Sequence, residues 1–287
     1  MNQKEDNYQF YLSSLQESWK LLTHNLTLYI PDLLFILFLT FFLWLFLQFN
    51  GLLTPLLQIN RLQATQEAFR TILQSTPSLL KLILSSTLLL FVHLCTGITF
   101  VNARYILIKQ SLTHQKLSLL NAFKEGKTYF WKVVFIKFLF FFLYLLPSLI
   151  FLFIYILTHI QNPFFLSLLL TLLAILWFAI KYLFFFTYPT LFLKEKNYKA
   201  AFNATHYSQK KITHTLITLG TVTFLSFFIN LLLLLIPEVW FRIAFSAHIL
   251  STTATFAFFF LIFSRTVHLV YTIFESSFIF HVYSKNK

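Results

Sequence analysis

The chain has 287 residues, of which 58% are hydrophobic, 20% aromatic and only 11% charged. Soluble globular domains average about 25% charged residues, so this composition argues against a soluble protein. The net charge is +13, and there is a single cysteine, Cys95. One cysteine cannot form an intramolecular disulfide or a multi-cysteine metal site. We also expect no cofactor.

Uncharged apolar runs recur along the chain, one of them over residues 138–157. A helix of about 20 apolar residues matches the ~30 Å hydrocarbon core of a bilayer, because each residue adds about 1.5 Å. The runs predict an all-α, polytopic membrane protein that forms a single domain over residues 1–287. We predict six transmembrane helices, at residues 33–49, 82–108, 133–157, 164–186, 213–235 and about 253–282.

The basic residues alternate between the connectors of these six helices. Sixteen of the 22 Lys and Arg residues fall in the N-terminal segment, the second and fourth connectors with their flanks, and the tail, whereas four fall on the other side. Cytoplasmic loops carry the Lys/Arg excess. We therefore predict a multi-pass protein of the cytoplasmic membrane with both termini in the cytoplasm. The positive charge is then mostly an orientation signal, and we expect no nucleic-acid partner.

Three predicted cytoplasmic segments precede membrane helices and share one pattern, a short polar stretch with apolar positions at helical spacing and then basic residues. They are residues 14–22, 122–132 and 201–211. The pattern is typical of amphipathic helices that lie in the membrane interface. One interpretation is three hairpins, each preceded by an interfacial amphipathic helix, in repeats 8–81, 114–192 and 196–287. The alternative is that any helix entering a membrane needs an amphipathic, basic lead-in.

A further pattern follows the fourth predicted helix. It consists of Tyr188-Pro189-Thr190-Leu191-Phe192-Leu193-Lys194-Glu195-Lys196, then Ala200-Ala201-Phe202 and Ser208-Gln209-Lys210, with Val282-Tyr283-Ser284-Lys285 in the tail. It resembles a superfamily of six-pass prokaryotic membrane proteins of unknown function, which includes the membrane domain of some glycerophosphoryl diester phosphodiesterases. The resemblance covers essentially the whole chain and implies the six-helix architecture. It implies no established chemistry, and the sequence contains no phosphodiesterase catalytic domain.

The sixth predicted helix carries a polar stripe. Arg265, His268, Thr272, Glu275 and Ser276 are spaced mostly by three or four residues and so share one face. Because a charge at the centre of a membrane helix costs about 2.5–3.5 kcal/mol, we predict that Arg265 faces the helix bundle. The stripe then predicts a polar cavity for a headgroup or an ion. Two alternatives remain: a polar network within the bundle, or a sixth span that ends just before Arg265 and continues as an amphipathic tail in the interface.

Three ionisable residues fall at one predicted depth near the cytoplasmic side. Asp32 starts the first helix, Lys137 lies one turn inside the third, and Glu275 is near the end of the sixth. These residues can form a cluster, which Asn102 and Arg104 at the end of the second helix would join. The alternative is a set of ordinary interface residues.

His93 and Asn230 are polar groups inside the second and fifth predicted helices. An interhelical hydrogen bond is the simpler expectation for each, and a ligand contact is the alternative. The nine histidines show neither the His-x-x-x-His nor the His-Glu-x-x-His spacing of a metal site. The sequence also has no glycine-rich phosphate loop and no Gly-x-Ser-x-Gly elbow. We therefore predict no metal site and no enzymatic activity.

These features support two functional hypotheses, and the lipid bilayer is the partner in both. The first is a membrane protein that binds or organises anionic lipid headgroups, or assists other membrane proteins, because basic residues near the surface attract such headgroups at about 1 kcal/mol each. The second is a transporter of small solutes or lipid with a polar cavity near Arg265. Transporters usually have inverted repeats and helices broken at mid-depth. Here the repeats run in one direction, and only Pro147 lies within a predicted helix.

Overall fold

The computed structural model describes residues 3–57, 61–158, 163–246 and 253–285. The regular structure in these ranges is entirely helical. In chain order the helices are α1 Gln3–His24, α2 Ile30–Phe49, α3 Leu53–Leu57, α4 Arg61–Gln74, α5 Thr76–Leu112, α6 Leu119–Thr158, α7 Pro163–Leu183, α8 Thr187–Thr190, α9 Ala200–Lys210, α10 Ile212–Ser246 and α11 Thr253–Lys285. A 3-10 turn, Leu26–Tyr29, precedes α2, and a π-helical turn, Leu191–Glu195, follows α8.

Several of these helices have the length and composition of membrane spans. Within the described ranges, five stretches are long and apolar enough to cross a bilayer: Leu26–Phe49, Thr76–Leu112, Leu119–Ile156, Pro163–Lys194 and Ile212–Pro237. The predicted all-helical, multi-pass class is therefore confirmed. The sixth predicted span, which falls on α11, is not among the five and stays a prediction.

The buried core lies at one end of the bundle. The second half of α5, the first half of α6, the π-helical turn and the second half of α11 meet there, and Leu107, Ile136, Phe192 and Phe280 are almost completely buried. We call this the core end. Toward the other end, α6 and α7 expose most of their apolar side chains. Such surfaces are expected to contact lipid, because the bilayer interior is as apolar as the side chains themselves.

A glycine allows α5 and α6 to approach closely at the core end. A Cβ added at Gly126 would lie 3.4 Å from atoms of Asn102 and Ala103 on α5. The Asn102 Nδ2 donates a hydrogen bond of 3.2 Å to the Gly126 carbonyl oxygen. A small residue and a polar side chain together therefore hold this crossing, as is common between membrane helices.

The first helix packs along the last one, α1 against α11. The Ser18 hydroxyl lies 3.2 Å from His281 Nδ1, and Lys285 Nζ is 2.8 Å from Glu17 Oε2. Tyr11 reaches further, to the ring nitrogen Nδ1 of His214. Burial raises the pKa of Tyr11 to about 12, so its hydroxyl keeps its proton at neutral pH and can donate that bond. These contacts join the N-terminal segment to α10 and α11.

The three predicted amphipathic segments, residues 14–22, 122–132 and 201–211, differ in structure. The first and third form separate helices, α1 and α9, and Ala201 and Ala204 of α9 are buried while Phe202 is exposed. The expectation of a separate helix over residues 122–132 is wrong, because this segment is the beginning of α6 and runs into the membrane span without a break. Its one potential helix breaker, Gly126, is held by the close contact with α5.

Candidate ligand-binding site

An ion pair joins the beginning of α2 to the second half of α5. Arg104 Nη1 donates a hydrogen bond of 2.8 Å to Asp32 Oδ1. The two side chains are only 6% and 15% exposed. An unpaired buried charge is expensive because it has lost its hydration, and a close counter-ion offsets much of that cost. The pair therefore compensates the Arg104 charge where α5 passes through the core end.

The ion pair uses only part of the hydrogen-bonding capacity of Arg104. A guanidinium has five N–H donors in a planar fork, and the bond to Asp32 takes one of them. Arg104 Nε and Asp32 Oδ2 are both buried, and neither has a hydrogen-bond partner among the residues that the structure describes. The Tyr105 side chain lies beside the guanidinium, with the Arg104 Cζ 5.4 Å from the ring centroid. Arg104 therefore retains donors for a further partner.

Arg104 borders a cavity of about 270 Å³ whose lining is mostly apolar and includes a few charged and polar groups. Five helices contribute to its walls, α5, α6, α7, α8 and α11, together with the segment that leads from α7 into α8. The lining combines oppositely charged groups, hydroxyls and aromatic rings. The lining residues are Arg104, Tyr105, Phe140, Tyr144, Ile180, Lys181, Phe184, Phe185, Tyr188, Pro189, Thr272, Glu275, Ser276, Ile279 and Phe280.

Glu275 and Lys181 are the other charged groups in the cavity lining. Glu275 of α11 is half-buried, and Lys181 in the last turn of α7 is exposed. The positive charges of Lys181 and Arg104 both attract the Glu275 carboxylate. Within the described ranges, however, no Lys or Arg nitrogen lies within 4.0 Å of that carboxylate. The cavity thus carries both signs of charge, and Glu275 has no direct counter-ion among the described residues.

The charged groups around the cavity share one depth in the bundle. Arg104 is eight residues before the end of α5, which is about 12 Å along the helix axis. Asp32 lies in the first turn of α2, and Lys181 lies in the last turn of α7. Because α2 runs in the opposite direction to α5, its beginning meets the end of α5. The site is therefore part of the core end.

The structure gathers the predicted cluster around Arg104. Asp32 pairs with Arg104 directly. The positive charge of Arg104 also repels that of Lys137 and attracts the Glu275 carboxylate. Lys137 is half-buried but does not line the cavity. Asn102 bonds a backbone carbonyl of α6 and also lies outside the lining. The sequence predicted Arg104 only as an additional member of this cluster. In the structure Arg104 is its centre.

The prediction that Arg265 is buried inside the bundle is wrong. Arg265 is exposed on α11, and neither it nor His268 lines the cavity. The later part of the predicted stripe, Thr272, Glu275 and Ser276, does line it. The face of the helix is the same, but a helix face is buried only where a neighbour covers it. At the core end α5 and α8 pack against α11, whereas Arg265 and the neighbouring Ile262 and Thr266 are exposed in the part of the chain that the structure describes.

Neither His93 nor Asn230 makes the predicted interhelical hydrogen bond to a described residue. Asn230 is exposed, and its Nδ2 donates 2.8 Å to the Ser226 carbonyl oxygen, one turn earlier in the same helix. His93 packs against the Phe35 ring, with 5.4 Å between ring centroids, and its Nδ1 is buried without a partner in the described ranges. Neither residue borders the cavity.

Sequence reasoning missed most of the cavity wall. In the sequence, Lys181 is recognised only as one of the basic residues that indicate the membrane orientation. Tyr105, Tyr144 and Tyr188 are inconspicuous in a chain that is 20% aromatic. No spacing along the chain connects residues that lie on separate helices. The one available signal is that Tyr188 and Pro189 belong to the segment that carries the family resemblance.

No protein-family model matches the chain, and comparison with curated proteins and with solved structures finds no match. The resemblance to the six-pass superfamily therefore stays a hypothesis.

Proposed function

We propose that this is a non-enzymatic integral membrane protein that binds a phosphate-bearing lipid headgroup in the Arg104 cavity. The observation that supports this most is a nearly buried guanidinium, with donors that its carboxylate partner does not use, at the wall of a cavity that Lys181 also lines. Guanidinium groups bind phosphate oxygens through parallel N–H bonds. Lys181 adds a second positive charge. The transporter alternative places its cavity near Arg265, which is exposed.

We further propose six transmembrane helices in three hairpins, with α1 and α9 as interfacial amphipathic helices before the first and third hairpins, and with both termini in the cytoplasm. The packing of α2 on α5, α6 on α7 and α10 on α11 supports the hairpins, with α11 as the sixth span. The excess of Lys and Arg on one side supports the orientation in the cell membrane. With this topology the core end lies in the cytoplasmic leaflet, and the cavity lies near the headgroup level.

The mixed character of the cavity wall also suits a lipid. Phe140, Ile180 and Phe184 line it beside the charged groups. The outer surfaces of α6 and α7 next to it expose large apolar side chains such as Phe141 and Trp177. A phospholipid in the leaflet can therefore place its phosphate at the charged groups while its acyl chains stay against apolar surface. Lysines near the membrane surface add an attraction for anionic headgroups of about 1 kcal/mol each.

Retention of defined phospholipids by the purified protein, measured by native mass spectrometry, tests this proposal. We expect Lys181→Gln and Arg104→Lys each to weaken retention of dioleoyl phosphatidylglycerol and phosphatidylethanolamine about tenfold, the value of one charge-assisted hydrogen bond. Arg104→Lys keeps a positive charge beside Asp32 but loses the planar fork. Lys127→Gln is the matched control, because Lys127 is an exposed lysine of α6 outside the cavity. Retention by both cavity variants equal to that of the wild type would contradict the proposal.

A further inference from the structure

A carboxylate is an unexpected group in a site for phosphate. Glu275 lines the same cavity as Arg104 and Lys181, and a phosphodiester beside it would meet a like charge in a partly desolvated space, which is unfavourable. Glu275 makes no hydrogen bond or ion pair within the part of the chain that the structure describes. A ligand that carries both a negative and a positive charge would satisfy all three groups.

Two hydroxyls on α11 flank this carboxylate in the cavity lining. Thr272 Oγ1 donates 2.7 Å to the His268 carbonyl oxygen, and Ser276 Oγ donates 2.8 Å to the Thr272 carbonyl oxygen. Because each hydroxyl hydrogen is used within the helix, the lone pairs of both oxygens remain as acceptors. One turn of α11 therefore supplies three acceptor groups to the cavity lining, Thr272, Glu275 and Ser276. A primary ammonium has three N–H donors and matches them.

We propose that the ligand is an ethanolamine phosphate ester, as the headgroup of phosphatidylethanolamine or as free phosphoethanolamine. This inference rests on the proposed function and assigns the headgroup class of the same cavity. The phosphate binds Arg104 and Lys181, and the ammonium binds Glu275 together with the two α11 hydroxyls. A choline ester has no N–H donor for these acceptors, and a glycerol ester has no positive charge for Glu275.

Competition between lipids that share their acyl chains tests the assignment. The purified protein in detergent receives equimolar dioleoyl phosphatidylethanolamine, phosphatidylcholine and phosphatidylglycerol, and the retained lipids are quantified by native mass spectrometry. We expect the wild type to retain the ethanolamine lipid about tenfold over each of the others. Glu275→Gln should abolish this preference and leave phosphatidylglycerol bound. Glu67→Gln, which changes an exposed glutamate of α4 outside the cavity, should keep the preference.

A second variant and a soluble probe complete the test. Thr272→Val removes one acceptor at nearly constant size, and we expect it to reduce the preference without lowering the unfolding temperature. Free phosphoethanolamine distinguishes the source of the ligand. Binding of the free ester that depends on Glu275, without retention of lipid, identifies the soluble compound and contradicts the proposed lipid binding, whereas retained phosphatidylethanolamine identifies the lipid.

The outcomes separate this inference from the proposed function. Equal retention of the three lipids by the wild type overturns the headgroup assignment, as does a preference that survives Glu275→Gln, while lipid binding itself stands. The proposed function fails instead if Lys181→Gln and Arg104→Lys retain every lipid as the wild type does.

Discussion

The ion pair between Arg104 and Asp32 gives a prediction about stability. Asp32→Ala removes the acceptor and leaves the Arg104 side chain, 6% exposed, without a direct counter-ion. Lys137 adds to the cost of the unpaired Arg104 charge, because its own positive charge repels that of Arg104. Breaking one side of a buried pair costs about 3–5 kcal/mol. Because Asp32 is 15% exposed and water can reach part of the site, we expect a loss near the lower limit, about 3 kcal/mol of the free energy of unfolding.

The double variant Asp32→Ala/Arg104→Leu separates the unpaired charge from lost packing. With both side chains replaced, neither charge of the pair is left without its counter-ion, and apolar replacement of a buried pair is often neutral or stabilising. We therefore expect the double variant to be close to the wild type in stability while losing phospholipid retention. The free energy of unfolding is measured in mixed micelles by far-UV circular dichroism as the denaturing detergent increases.

The single variant Arg104→Leu is the control for the double variant, because it leaves the Asp32 carboxylate without its counter-ion. We expect it to be less stable than the double variant. If the double variant is as unstable as Asp32→Ala, the loss comes from packing at Asp32, and the reasoning from an uncompensated buried charge is refuted.

Two further predictions concern helix packing and orientation. Gly126→Leu should lower the free energy of unfolding by about 1–3 kcal/mol, the usual cost of overpacking, because even a Cβ there would lie 3.4 Å from atoms of α5. Gly220→Leu is the matched control. An added Cβ at Gly220 meets nothing within 4 Å, so this variant should cause no such loss. In a Cys95→Ser background, a cysteine at Asn197 should resist a membrane-impermeant thiol reagent applied to intact cells, whereas one at Ser75 should react. Labelling of the Asn197 position from outside would contradict the proposed topology.

Hydropathy along the sequence was enough to determine the class of the protein. A long apolar run satisfies its backbone hydrogen bonds within its own helix, so its ability to span a membrane depends on the run and not on its neighbours. Depth also follows from sequence, since each helical residue adds about 1.5 Å from the basic end. For this reason Asp32, Arg104 and Glu275 could be expected at one level before their contacts were known.

Only the tertiary structure decided which polar residues meet. Arg265 and Thr272 are nearly two turns apart on one face of α11, yet Arg265 is exposed and Thr272 lines the cavity. The difference arises because α5 and α8 pack against α11 at the core end, and Arg265 lies beyond these contacts. Likewise, Lys181 and Tyr144 come together from different helices, and periodicity within one helix carries no information about the rotation of another. The rotations and crossings of helices are set by side-chain packing between them, so the cavity exists only once the bundle has assembled.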